Sequence, residues 1–353
     1  MNKVRQEEID QIKENLELYS NLKNIFDNAW LNSHLSIEDR HNKHPLFWVL
    51  LDGRCQKLAK NLDILQQKCP KFTRIVNKLK GDKDVLNFHS TLAEVDVMAH
   101  YYSIDKDNYA VEYEPNVEEN GKKIDGKILV GNESYNLEIF TIHEDETGQQ
   151  HDALREKVKR EINEISQPYV ISLGTDLDFT EEHIPNFISF VKKFLESQNS
   201  VIEGERYEYT SDGKRLADIS FKKYPEIPKG FVGGMHGPAR FMNDAGRLKN
   251  KILSKLDQLP ENAQNVVIIN MSYITSDFID LEEVFFGQSC VNINIETHET
   301  SAGRSPNSIL NHPKGKNISM IVGYVNNNYN TRRYYVNLSA SKPINKDIAQ
   351  ELF

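Results

Sequence analysis

The chain has 353 residues, with 43 Lys+Arg against 52 Asp+Glu and a formal charge of −9. That length holds one large domain or two modest ones, and that acidity excludes a general polyanion binder, so any nucleic-acid contact must be local. Hydrophobic residues make up 39% yet form no run long enough to cross a bilayer, and the charged N-terminus has no secretory h-region, so the expected location is cytoplasmic, with no membrane partner. Cys55, Cys69 and Cys290 are odd in number and widely spaced, which argues against a disulfide framework and a structural zinc site.

In chain order, Ile9, Ile12, Leu16, Leu18, Leu22 and Ile25 recur at mostly helical spacing and predict one long amphipathic helix over 4–29. Pro45 interrupts; 46–67 and 72–79 then read as further helices, so 1–85 is expected to be a helical N-terminal region. Ser90 or Thr91 is expected to cap a helix carrying Glu94. The period then becomes two, and 109–113, 123–130 and 135–142 read as a three-stranded meander with turns at Asn120-Gly121 and Gly131-Asn132.

A helix over 152–165, a strand over 169–173 and a helix over 181–197 follow, then a hairpin within 204–222 turning at 211–214. The Gly/Pro-rich stretch 228–238 has no phosphate-loop order and reads as a flexible connection or lid. A helix over 244–259 feeds a buried strand over 266–271, and strands 318–324 and 333–338 form a hairpin around the Asn-rich turn 326–330. The expected organisation is 1–85 helical, 86–290 an α/β core with an insertion around 201–240, and 291–353 a basic, Tyr/Asn-rich segment.

One constellation carries chemistry. Glu94 on a helix, with Asp125 and Glu138 on neighbouring antiparallel strands, supplies carboxylates that can converge on Mg²⁺ or Mn²⁺, ions that take one or two carboxylates plus water and phosphate oxygens. Such an ion polarises a phosphodiester and acidifies a bound water, while a nearby lysine orients the attacking hydroxide.

The segment 88–173 resembles the PD-(D/E)xK nuclease superfamily, whose fold is restriction-endonuclease-like, a mixed sheet flanked by helices. FHSTLAEVDVMAHYYS is similar to the first core helix, KKIDGKILV to the strand bearing the aspartate, and YNLEIFTI to the (D/E)xK strand. The resemblance implies Asp125 and Glu138 as metal ligands, Glu94 as the assisting catalytic carboxylate, and helix 152–165 with strand 169–173 as the next core elements. RLKNKILSKLDQLPENAQNVVIIN, with Arg247, Lys249, Lys255 and Gln258, also resembles a helix-and-strand pair of divergent members.

Phe140 stands where the motif lysine is expected. Lys127, two residues after Asp125 on the same strand face, is the first candidate to replace it, with Lys123, Lys157 and Lys249 as alternatives. The implied function is Mg²⁺-dependent phosphodiester hydrolysis in nucleic acid. The alternative is a catalytically inactive nuclease-like module that binds nucleic acid or a protein partner.

From Ser301 to Lys346 there is no acidic residue, but there are Arg304, Lys314, Lys316, Arg332, Arg333, Lys342 and Lys346 among Tyr324, Tyr329, Tyr334 and Tyr335. Cations for phosphates and tyrosines for unpaired bases make this the expected local nucleic-acid surface. Docking of a protein partner or of a second copy of the chain stays open.

Overall fold

The computed structural model describes residues 6–35, 44–115, 123–143, 146–165, 169–196, 201–223, 231–236, 244–274, 278–293 and 295–353. The expected turn at Asn120-Gly121 lies outside them. Two compact units emerge, one from 1–143 with 243–353 and the other from 144–242. These do not follow the expected boundaries: the helical N-terminal region and the C-terminal segment share one unit with the first strands, and the insertion is larger than 201–240. No helix among the described residues is long and apolar enough to cross a membrane.

The first unit begins with α1 (Gln6–Leu18), α2 (Ser20–Ile25) and α3 (Asn28–Leu35), three helices in place of the expected one. Leu16 and Leu22 stand about 240° apart around a continuous helix, so a straight rod could not bury both on one face. The non-helical Tyr19 (φ −120°, ψ 85°) resets the phase, so that Ile12, Leu16, Leu22, Ile25 and Phe26 all become buried while Leu18 stays 73% exposed. Next come α4 (Leu46–Leu51), α5 (Arg54–Lys68), α6 (Phe72–Gly81) and α7 (Val85–Ser103). The cap of α7 is Asp84, whose carboxylate accepts from the Asn87 N–H, rather than Ser90 or Thr91. Thr91 instead lies inside the helix, buried, with its hydroxyl donating to Asp82 at 2.5 Å.

The meander forms as expected from β1 (Tyr109–Tyr113), β2 (Gly126–Val130) and β3 (Glu133–His143). The second unit follows. It holds α8 (Glu146–Asn163), β4 (Tyr169–Thr175), α9 (Ile184–Glu196), β5 (Arg206–Ser211), β6 (Lys214–Lys223) and β7 (Phe231–His236), with its sheet in the order β5-β6-β4-β7. The predicted hairpin turns where expected, with Asp212 and Gly213 both at positive φ (52° and 76°) as a two-residue hairpin turn requires. Within the stretch 228–238, residues 231–236 form a strand paired parallel to β4, not a lid; the remainder lies outside the described residues. Val158 and Ile162 of α8, Phe187 and Val191 of α9, and Ile171, Leu173, Ile219 and Phe221 of the sheet form this unit's own core.

The chain then returns to the first unit through α10 (Asp244–Lys255), β8 (Gln264–Tyr273), α11 (Phe278–Phe286), β9 (Ser289–Ile293), β10 (Thr300–Arg304), β11 (Met320–Tyr324), β12 (Arg332–Val336) and α12 (Lys346–Leu352). Its mixed six-stranded sheet runs β1-β2-β3-β8-β11-β12, with β3, β8 and β11 parallel and the flanking pairs antiparallel. The strand that extends the meander is therefore β8, not 169–175. Val266 and Ile268 bury against one face with Met98 and Tyr101 of α7, while Val267 and Ile269 bury against the other with Leu248 and Ile252 of α10. Burial on both faces is why this strand reads as a continuous apolar run.

Helix α7 crosses the sheet closely at Gly126. A Cβ there would lie 2.8 Å from Met98 Sδ and 3.3 Å from Leu137 Cδ1. Gly126→Ala is therefore expected to cost about 1–2 kcal/mol through overpacking, read as a lower midpoint in chemical denaturation with an unchanged slope.

Candidate functional site

The close approach at Gly126 has a consequence one helical turn earlier. Glu94 precedes Met98 by four residues and so shares its face of α7, which brings Glu94 toward the start of β2. There Asp125 sits just before the strand, and its N–H donates to Leu137 O at 3.1 Å. The Asp125 carboxylate accepts the N–H of Ile139 at 2.7 Å, a bond that would otherwise need a further residue of β2. Glu138 lies between these two β3 residues, on the sheet face that also holds Phe140 and Ile142.

Glu138 is 1% exposed, and its Oε1 accepts from Lys255 Nζ at 2.8 Å. Its Oε2 is buried with no hydrogen-bond partner in the structure. Lys255 ends α10, borders the apolar stripe of Leu248, Ile252 and Leu256, and carries its ammonium 5.9 Å from the centroid of the Phe140 ring. It also donates to Gln258 at 3.3 Å. The ammonium missing from β3 at Phe140 thus arrives over that same ring from a helix in the later half of the sequence.

Glu94, 8% exposed, is held from the other side. Lys78 of α6 donates to both its oxygens at 3.0 and 2.7 Å, and the Tyr113 hydroxyl donates to Oε2 at 2.7 Å. The three carboxylates are close enough to act on one another. Burial is the first cause raising the carboxyl of Asp125 well above the usual range, and the charges of Glu138 and Glu94 follow; Lys255 and the Ile139 N–H oppose it. Burial also raises Glu138 against the pull of Lys255, and Glu94 against the pull of Lys78. Like-charged carboxyls in a desolvated cluster favour the proton, or any other cation, over ionisation alone.

These residues suit a divalent ion in charge and donor type: hard oxygens, an unpartnered buried Glu138 oxygen, and mutual repulsion that a cation relieves. Among the described residues, no three His, Cys, Asp or Glu side chains are gathered into a metal-ligand group. Glu94 and Glu138 are instead engaged by Lys78 and Lys255.

The lysines expected from sequence lie elsewhere. Lys127 does share the strand face of Asp125, but it stands opposite Asn136 and Glu112, and the ammonium bonded to Glu138 belongs to Lys255. Lys123 is exposed. Lys157 is in the second unit and pairs with Glu181 at 3.1 Å, and Lys249 donates to Asn307. The sequence signal for Lys255 is its helical spacing from Ile252 on the helix preceding a strand that pairs with β3.

The expected basic surface is also altered by folding. Tyr324 and Tyr329 are 0% and 3% exposed, so neither ring can stack on a base. Arg304 pairs with Glu282 at 2.6 Å, Lys314 with Asp257, and Arg332 lies over Tyr329 and donates to Phe353 O. Arg333 lies over the Phe278 ring, while Lys316 is exposed. No family model, curated protein or solved structure matches this chain.

Proposed function

We propose that the first unit is a divalent-metal-dependent nuclease of restriction-endonuclease-like type that hydrolyses phosphodiester bonds in nucleic acid. The observation that carries the reading is the Lys255 ammonium bonded to Glu138 beside Asp125 and over Phe140, because it restores the cation that the (D/E)xK strand lacks. Asp125 and Glu138 would hold Mg²⁺ or Mn²⁺, with Glu94 assisting directly or through a water. When bound, the ion would supply Lewis-acid polarisation of the phosphoryl oxygen and acidify water.

The chain's own groups do the rest. Lys255 orients an attacking hydroxide at the Glu138 side and balances charge that develops on the phosphoryl oxygens. Asp125 is held in direction by the Ile139 N–H, and Glu94 by Lys78 and Tyr113, so little reorganisation is left for the reaction itself.

Incubating single- and double-stranded DNA and RNA with the protein and Mg²⁺ or Mn²⁺ tests the reading. Lys255→Met is expected to lower turnover by about 10²-fold or more, the usual loss when a transition-state donor is removed. Lys127→Met is expected to change it little. A Lys255→Met protein that cleaves like the parent would sink the assignment. The second reading, an inactive module, is favoured by the engagement of Glu94 and Glu138 with the protein's own lysines, and it predicts neither Mn²⁺ binding nor cleavage.

A further inference from the structure

The carboxylate site is bordered by a cationic face of α6, and we propose that this face is a track for the phosphate backbone of a nucleic-acid strand leading into the site. The inference rests on the nuclease reading and names the substrate contact it leaves open. Lys71 precedes α6 as its N-cap, with Arg74 three residues on and Lys78 four further, so the three follow one side of the helix from its start. They span about 10 Å, the axial rise of about three phosphates on one strand of B-form duplex. Lys78 ends the stripe on Glu94 itself.

All three cations close on a single residue. The Glu114 carbonyl accepts from Lys71 Nζ at 2.5 Å, and its carboxylate pairs with Arg74 and with Lys78 at 3.2 Å. Glu114 follows β1 in a left-handed backbone conformation (φ 42°), and its N–H donates to Asp125 O at 2.8 Å. A non-glycine residue is disfavoured in that conformation, so the α6 cations hold a strained acid beside Asp125.

Glu114 thereby offers these cations several oxygens from one place, the arrangement a phosphate group reproduces with more charge. Lys71 is exposed and the Arg74 side chain is 50% exposed, so both can be reached by a strand in solvent.

The experiment measures fluorescence anisotropy of a short labelled oligothymidylate with the full chain, without metal, across a range of KCl concentrations. Lys71→Gln/Arg74→Gln, with Lys78 left in place, is expected to weaken binding on the order of 10-fold. It should also reduce the slope of log affinity against log salt by about 1.4, or about 0.7 for each phosphate contact on a single strand. Glu114→Gln is expected to tighten binding several-fold by releasing the cations.

An unchanged affinity and slope in the double variant overturns the track. So does a Glu114→Gln protein that loses thermal stability without binding more tightly, since the contacts would then be a structural clamp. Polyglutamate competing as well as the oligonucleotide overturns it in favour of an acidic polypeptide. Cleavage assays on the same proteins separate the two readings. A parent that binds through α6 but never cleaves keeps the track and loses the nuclease, whereas a parent that cleaves with an unaltered double variant keeps the nuclease and loses the track.

Discussion

Asp125→Asn is expected to make the protein more stable while removing metal-dependent cleavage. Asparagine has the same shape and keeps an acceptor for the Ile139 N–H, but it removes a carboxylate that burial, Glu138 and Glu94 all push toward protonation. At neutral pH the gain should be about 1 kcal/mol, a rise of roughly 2–4 °C in Tm. The pH dependence follows from the sign of the shift. An aspartate whose folded pKa is raised contributes least above that pKa, so the advantage of the variant is absent near pH 3, grows above the unfolded value of about 3.9, and is full only once the pH passes the raised folded pKa.

Metal separates this effect from simple charge removal. Mn²⁺ at about 100 times its Kd should stabilise the parent by about 2.7 kcal/mol and leave Asp125→Asn unchanged. Calorimetry of both proteins with and without Mn²⁺ reads these outcomes directly. A variant that is less stable than the parent, or one that still cleaves, would show that Asp125 is an ordinary structural aspartate.

Three buried histidines should withdraw stability from the first unit on acidification from pH 6.5 to 5.5. Burial pushes His44, His89 and His100 each down to about 4, and neighbouring charges add to it: His34 and Lys83 at His44, His143 and Arg54 at His89, and Arg332 at His100. Asp82 at His44 and Asp84 at His89 oppose the shift, as does the Lys80 backbone carbonyl, an acceptor for His44. A histidine kept neutral in the fold is protonated only in the unfolded chain between about 6.5 and 4. Stability is therefore complete above 6.5 and falls with pH by up to about 1.4 kcal/mol per unit for each group.

Three groups give a limit of about 4 kcal/mol per pH unit. The carboxyls of Glu94, Asp96, Asp125 and Glu138 are all raised and work in the opposite sense, from their ordinary range up to their raised folded values. Urea denaturation at several pH values measures the slope, and His89→Gln should reduce it. His89 stacks at 4.0 Å on Tyr273 and at 5.3 Å on His143, so the variant also tests whether the stack itself keeps the ring neutral. A His89→Gln protein with the same slope as the parent between pH 6.5 and 5 would refute the assignment of His89.

Local pattern carried much of the fold. The alternation in 109–113 and 135–142, the Asp212-Gly213 turn and the apolar runs at 169–173 and 266–271 all became strands or turns at about the expected places. Each depends on side-chain period and turn chemistry within a few residues. Element breaks were less readable, because Tyr19 interrupts a helix for the sake of a core formed with distant residues. The small α12 has no strong periodic signal in its seven residues.

The carboxylates of the site were legible because Glu94, Asp125 and Glu138 lie within 45 residues, on elements whose order is itself readable. The cations were not. Lys78 comes from the helical N-terminal region and Lys255 from beyond the 144–242 unit, and both reach the carboxylates only once α6 and α10 pack on the sheet. The resemblance places helix 152–165 and strand 169–173 next to the meander, whereas parallel pairing of β3 with β8 gives that place to the later strand. Sequence alone determined which residue types and local elements were available for chemistry. Tertiary packing decided which lysine stands beside which acid, because a charge pair requires contact in space and no chain period encodes a separation of 117 residues.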